Sequence, residues 1–127
     1  MTDGHIYRSI TLILQNDTHT ELLVDGHATI HGEWESEPKG GDVIGPQSTA
    51  KWRIVSRVEQ QGASGFVHLI CSDGDIKITV NQPWTGETLC TTEVPKGYVA
   101  QTVLDKENPD HPVVVFEIRT STKTPRD

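Results

Sequence analysis

The chain has 127 residues, enough for one domain with its own core and too few for two. Apolar residues make up 34% and charged residues 23%, with three Trp, two Tyr and two Phe, which describes a lean globular domain and excludes a disordered acidic tail or low-complexity linker. Eighteen acids against 11 bases leave a formal charge of -7, the wrong sign for neutralising phosphates or adsorbing to anionic lipid, so no nucleic-acid partner is expected.

Apolar residues recur with period two along most of the chain, and no window keeps an i, i+3, i+4, i+7 stripe, so the chain reads as all-β. In the first segment Ile6, Ile10, Leu12 and Leu14 share a face with one charge, Arg8. Tyr7, Ser9, Thr11 and Gln15 take the other face, and Asn16-Asp17-Thr18 ends the strand. Leu22 to Val24 and His27 to His31 read as short strand pieces around a turn at Asp25-Gly26. Gly32 to Pro46, with Pro38, Gly40, Gly41, Gly45 and Pro46, reads as a long loop presenting Trp34.

Ala50, Trp52, Ile54, Ser56 and Val58 alternate with Lys51, Arg53, Val55 and Arg57, the pattern of a strand with one buried and one wet face, which turns Trp52 inward. Gly62-Ala63-Ser64-Gly65 reads as a corner before a strand at Phe66 to Cys71, and Asp73-Gly74 is the sharpest hairpin signal, leading into Ile76 to Asn81. Past Pro83-Trp84-Thr85-Gly86 the chain is polar until Tyr98 to Asp105. Asn108-Pro109-Asp110-His111-Pro112 then precedes a last strand, Val113 to Thr122, and Lys123 to Asp127 is expected to fray. About seven or eight short strands with turns between them predict a two-layer antiparallel β-sandwich in a single domain, residues 1–127.

Chemistry-bearing patterns are sparse. His27, His31 and Asp25 share parity, but four residues along a strand span ~13 Å while zinc ligands converge to ~2 Å from the ion, so no metal site is expected. His68 falls between Phe66 and Ile70 and reads as a satisfied core histidine. Gly62-Ala63-Ser64-Gly65 lacks the spacing of a nucleophile elbow, Asp73 and Asp75 flank a hairpin that such residues serve, and there is no phosphate-cradling loop or H-E-x-x-H. Neither Cys71 nor Cys90 adjoins a His, and the pair reads as reduced, partly buried thiols, with a disulfide as the other possibility. A non-enzymatic role without cofactors is therefore expected.

The aromatic residues outside the strand pattern remain. Trp34 and Trp84 sit beside Gly or Pro, and an indole with an apolar body and one N–H donor suits a membrane interface or a partner's pocket. A deficit of bases directs any lipid contact to zwitterionic or neutral headgroups. Loop tryptophans near Asp, Asn and Gln also fit a lectin-like, glycan-binding sandwich, and the residues leave that alternative open. The longest apolar runs, such as Val113 to Phe116, are far below the ~20 residues of a spanning helix. Met1-Thr2-Asp3-Gly4-His5 has no basic or apolar leader pattern, so release without a conventional signal peptide is expected.

Several pieces, in this order and spacing, resemble the aegerolysins, especially the small aegerolysin-like component of bacterial binary insecticidal toxins. They are Ile10-Thr11-Leu12-Ile13-Leu14-Gln15-Asn16, Gly32-Glu33-Trp34 followed by Pro38 and Ile44-Gly45-Pro46, Trp52 to Ser56, Gly62-x-x-Gly65-Phe66, and Pro83-Trp84-Thr85-Gly86. The likeness covers Ile6 to Thr122. It implies an actinoporin-like β-sandwich that binds a membrane sphingolipid of the ceramide phosphoethanolamine or sphingomyelin type, acts at a target-cell membrane, and recruits a larger perforin-like (MACPF) partner to form the pore. It places Trp84 on the family's aromatic loop and Trp34 on a second loop nearby. With Tyr7, these are the candidate lipid-binding residues, and self-association into a homo-oligomer is compatible with the role. The chain departs from fungal members in its fewer aromatic residues, and Cys90 and Thr91 to Gly97 match no motif of the family.

Overall fold

Period-two alternation carries over directly into the strands of the computed structural model, which describes residues 5–121. Ten strands form in chain order: β1 (Arg8–Asn16), β2 (Leu22–His31), β3 (Glu33–Ser36), β4 (Val43–Ile44), β5 (Ser48–Ser56), β6 (Ala63–Cys71), β7 (Gly74–Gln82), β8 (Leu89–Glu93), β9 (Tyr98–Asp105) and β10 (Val113–Thr120). They build two five-stranded sheets, one ordered β3-β5-β1-β10-β9 and the other β4-β2-β6-β7-β8. All pairings are antiparallel except that of β1 with β10, which run parallel in the register Thr11 opposite Val113 to Asn16 opposite Ile118.

The two sheets bury their facing residues against each other. Ile10, Leu12, Leu14, Ile54, Val114, Phe116 and Ile118 come from the first sheet and Leu22, Val67, Leu69, Ile76, Ile78 and Val80 from the second, all fully buried. Trp52 packs into this core, as its register predicts. The hairpin at Asp73-Gly74 also forms, with Cys71 paired to Gly74. Asp73 serves a neighbouring element: its carboxylate accepts a bond from the Tyr98 hydroxyl at 2.8 Å, and burial pushes that phenol up to about 12.

Several local expectations are corrected. Asp25-Gly26 is no turn: β2 runs through it, and the register slips between Val24 and Gly26 in pairing with β6, so the glycine sits at a bulge. Gly62 to Gly65 is no corner either, since β6 starts at Ala63. The strands beyond the expected seven or eight are β3, β4 and β8. Each is a short edge strand held by backbone pairing to one neighbour, so it needs no apolar alternation to form. Ser9 and Thr11, on the face opposite Ile10 and Leu12, are also buried because the 108–112 segment lies alongside them, with the Ser9 and Thr11 amides donating to the Asp110 and Pro112 carbonyls. The last strand ends at Thr120; Thr122 and the Lys123 to Asp127 tail lie outside the described residues.

The register sorts the molecule into two ends. Arg8 pairs with Ser56 and Ala63 with Gln82, so the start of β1, the end of β5, the start of β6 and the end of β7 meet at one end, beside the 108–112 segment. At the opposite end Asn16, fully buried, ties the β1–β2 turn to β4. Its Nδ2 donates to the carbonyls of Thr20, Ile44 and Gly45, and its Oδ1 accepts from the Thr18 amide and hydroxyl.

Candidate functional site

Two of the three aromatic candidates come together at the first of these ends. Trp84 follows β7 in the turn Pro83-Trp84-Thr85-Gly86, and Tyr7 precedes β1; both are half-buried, with Thr85, Gly86 and Glu87 exposed beside them. Their rings meet edge to face, centroids 6.2 Å apart, and the His5 ring also packs edge to face on Tyr7, at 4.3 Å.

Arg8 organises the cluster. Its guanidinium lies 3.8 Å from the centroid of the Trp84 ring, donates from Nε and Nη2 to the Trp84 carbonyl at 3.3 and 3.0 Å, and from Nη1 to the Tyr7 carbonyl at 2.9 Å. The Asp110 carboxylate stands 3.4 Å away. The charge that the alternation placed on the apolar face of β1 is thus satisfied by carbonyls, a carboxylate and an indole face, and it holds the Trp84 turn against the start of the chain.

Trp34 is placed differently from the expectation. It lies on edge strand β3 rather than in a loop, paired with Ile54 and so level with Ile10, two residues further in than Arg8. It is half-buried and packs against the core. The His27 ring is 5.7 Å away, edge to face, and the indole Nε1 is buried without a partner. The strand was hidden because its ladder to β5 is short and irregular and its exposed residues, Glu33 and Glu35, pair with Arg57 and Arg53.

Beside Trp84 lies a cleft of about 470 Å³, with His31, Gln60, Gln61, Asn81 and Gln82 around it. Gly62 sets its floor, because the 57–62 connection presses on the end of β7 so closely that a Cβ there would overlap the Gln82 carbonyl. Gln82 is buried, and its Nε2 donates to the Pro109 and Asp110 carbonyls at 3.1 and 2.9 Å. Sequence reading missed this cleft. Its parts come from β2, the β5–β6 connection and the end of β7, and no spacing along the chain links them.

The imidazoles are dispersed. His68 is not a core residue: Val67 and Leu69 face inward, while His68 points outward and its Nδ1 lies 3.0 Å from the Asp25 carboxylate. His27 Nε2 lies 2.8 Å from Glu37. No group of three or more His, Cys, Asp or Glu among the described residues is arranged to hold a metal ion. Ser9 Oγ and His111 Nδ1 are 2.8 Å apart, but Ser9 is buried and also accepts from Arg53 Nη2 at 3.1 Å, which makes the pair a structural tie. Both cysteines are free: Cys71 Sγ donates to the Gly74 carbonyl at 3.4 Å, and burial pushes the Cys90 thiol up to about 11.

The chain matches no protein-family model and no curated protein sequence. Its fold is similar to that of the lipid-binding protein Nakanori, known from a 1.5 Å crystal structure. The TM-score is 0.73 at 11% identity, over 90% of this chain and 72% of that one. The likeness is one of fold, and it agrees with the sandwich expected from the sequence.

Proposed function

We propose that this chain is a non-enzymatic lipid-recognition subunit that lays the Tyr7–Trp84 end of its sandwich on a membrane. The observation that carries the reading is the clamped aromatic tip: an indole and a phenol at one end of a rigid scaffold, beside an exposed turn, with the Arg8 guanidinium taken up by carbonyls, Asp110 and the indole face. Such a tip meets the interfacial region through amphipathic rings rather than through charge, which suits an overall charge of -7. Trp34 contributes from the flank. The fold shared with a lipid-binding protein supports the same reading.

The finer role follows from the resemblance in the sequence. The lipid is a sphingolipid of the ceramide phosphoethanolamine or sphingomyelin type, and the chain is the lipid-binding half of a two-component, pore-forming insecticidal toxin whose MACPF-type partner makes the pore. Packing both sheets onto one core supports division of labour, because β1, β2, β5, β6, β7 and β10 supply most of its buried residues and none of them leaves its sheet without exposing that core.

Co-sedimentation with phosphatidylcholine vesicles, with and without ceramide phosphoethanolamine or sphingomyelin plus cholesterol, tests the proposal. Binding without dye leakage is the expected result, and Trp84→Ala removes the binding. Failure to pellet with every composition overturns the membrane reading, and leakage by this chain alone overturns the adaptor role.

A further inference from the structure

We infer that the cleft beside Trp84 binds an uncharged hexopyranose, borne by a lipid headgroup or by a soluble glycan. The assignment goes beyond the membrane reading and stands on the chemistry of the lining. Three carboxamide residues with exposed or half-exposed side chains, Gln60, Gln61 and Asn81, line it together with His31 and Trp84, the buried Gln82 lies beneath, and among the described residues no carboxylate, lysine or arginine lines the cleft. A phosphate group would be matched by cationic donors and an ammonium group by a carboxylate, and neither is present in this lining. An acyl chain would be matched by aliphatic walls. Sugar hydroxyls each donate and accept, as each carboxamide does, and the indole gives an apolar wall for the C–H face of the ring.

The cleft is also built before any ligand arrives. Gln82 is 2% exposed with its Nε2 engaged by two carbonyls, which assigns its amide orientation and leaves Oε1 as a buried acceptor without a protein partner. Gln60 holds a φ of 70°, a left-handed conformation found mainly in glycine, so the loop keeps a strained backbone where it meets the cleft. Arg8 fixes the Trp84 ring and its carbonyl. Such preorganisation lowers the ordering cost of a small polar ligand.

The test is a titration of the ¹⁵N-labelled full chain with methyl α-mannoside, methyl β-galactoside, methyl β-glucoside and N-acetylglucosamine, each to about 50 mM, well above the Kd of about 1 mM that a single ring held by a few hydrogen bonds reaches. The expected result is saturable shifts of the Trp84 indole N–H and of the Gln60, Gln61 and Asn81 amide groups with at least one sugar, weakened about tenfold or more by Asn81→Asp and by Gln61→Ala. Absence of such shifts with all four sugars overturns the assignment, as do shifts that both variants leave unchanged. Vesicles with and without glucosylceramide separate the sources. Added pelleting that Asn81→Asp removes identifies a lipid-borne sugar, whereas sugar shifts with no added pelleting identify a soluble glycan. Asn81→Asp is expected to bind sugar-free sphingolipid vesicles as the parent does: failure of the parent itself to pellet counts against the membrane reading and not against the sugar site, whereas loss of pelleting in the variant alone assigns the cleft to the sphingolipid headgroup and overturns the sugar site.

Discussion

The guanidinium of Arg8 lies 3.8 Å from the centroid of the Trp84 ring while it hydrogen-bonds to that residue's carbonyl, so one side chain holds both the ring and the backbone of the turn after β7. A lysine at this position keeps the charge but loses the planar fork. Arg8→Lys is therefore expected to cost ~2 kcal/mol in denaturant unfolding. It should also weaken vesicle binding with little change in the far-ultraviolet spectrum, because the sheets do not depend on the turn. Unchanged binding and unchanged stability would show that the clamp is idle.

Asn16 is the counterpart at the other end. Five hydrogen bonds converge on a side chain that is fully buried, joining the β1–β2 turn to the short strand β4. Asn16→Ala strands the carbonyls of Thr20, Ile44 and Gly45 and the amide of Thr18, and is expected to cost about 2–4 kcal/mol. Hydrogen exchange checks the locality of the effect: amides of Val43 and Ile44 lose protection first.

Stability should depend on His111 below neutral pH. Arg53 donates to Ser9 Oγ, so the Ser9 hydroxyl proton is free to go to His111 Nδ1, which requires a neutral imidazole. Burial first, then the Arg53 charge, with Arg8 and His5 adding, lowers the His111 pKa below the ordinary 6.5, against the opposing pull of Asp110. The unfolded chain takes up a proton near 6.5 while the native state resists it, so this group's contribution is full above pH 6.5. It is lost as pH falls from there toward the lowered native value. His111→Gln should flatten the difference between unfolding midpoints at pH 7.5 and pH 5 relative to the parent. An equal slope in both proteins would remove His111 from the account.

Cys90 should be slow to alkylate. With its thiol pushed up to about 11 by burial, only about one molecule in a thousand carries the thiolate at pH 8. Iodoacetamide labelling followed by mass spectrometry should leave Cys90 unmodified in the native protein and modified after unfolding. Rapid native labelling at Cys90 would contradict its packing against the core.

Legibility in the sequence followed burial. The alternation of Ile10, Leu12 and Leu14 and of Ile76, Ile78 and Val80 announces their strands because each of those residues faces the other sheet. β8 gave no such signal: Leu89-Cys90-Thr91-Thr92-Glu93 exposes its leucine and is held by its ladder to β7. Asp25-Gly26 has the composition of a turn, yet pairing to β6 carries the strand through it with a bulge, a case of tertiary pairing overriding local preference.

Composition and period alone determined that this chain is an acidic, all-β, two-layer domain with Trp52 inside, since those features depend only on which residue types can face a core and how often they recur. Only the tertiary structure decided that Tyr7 and Trp84 meet over Arg8, that Trp34 lies on an edge strand, and that Gln60 and Gln61 of one connection share a cleft with Asn81 of β7. Such juxtapositions arise from strand order and register, and pairings between residues more than 70 positions apart leave no periodic trace along the chain.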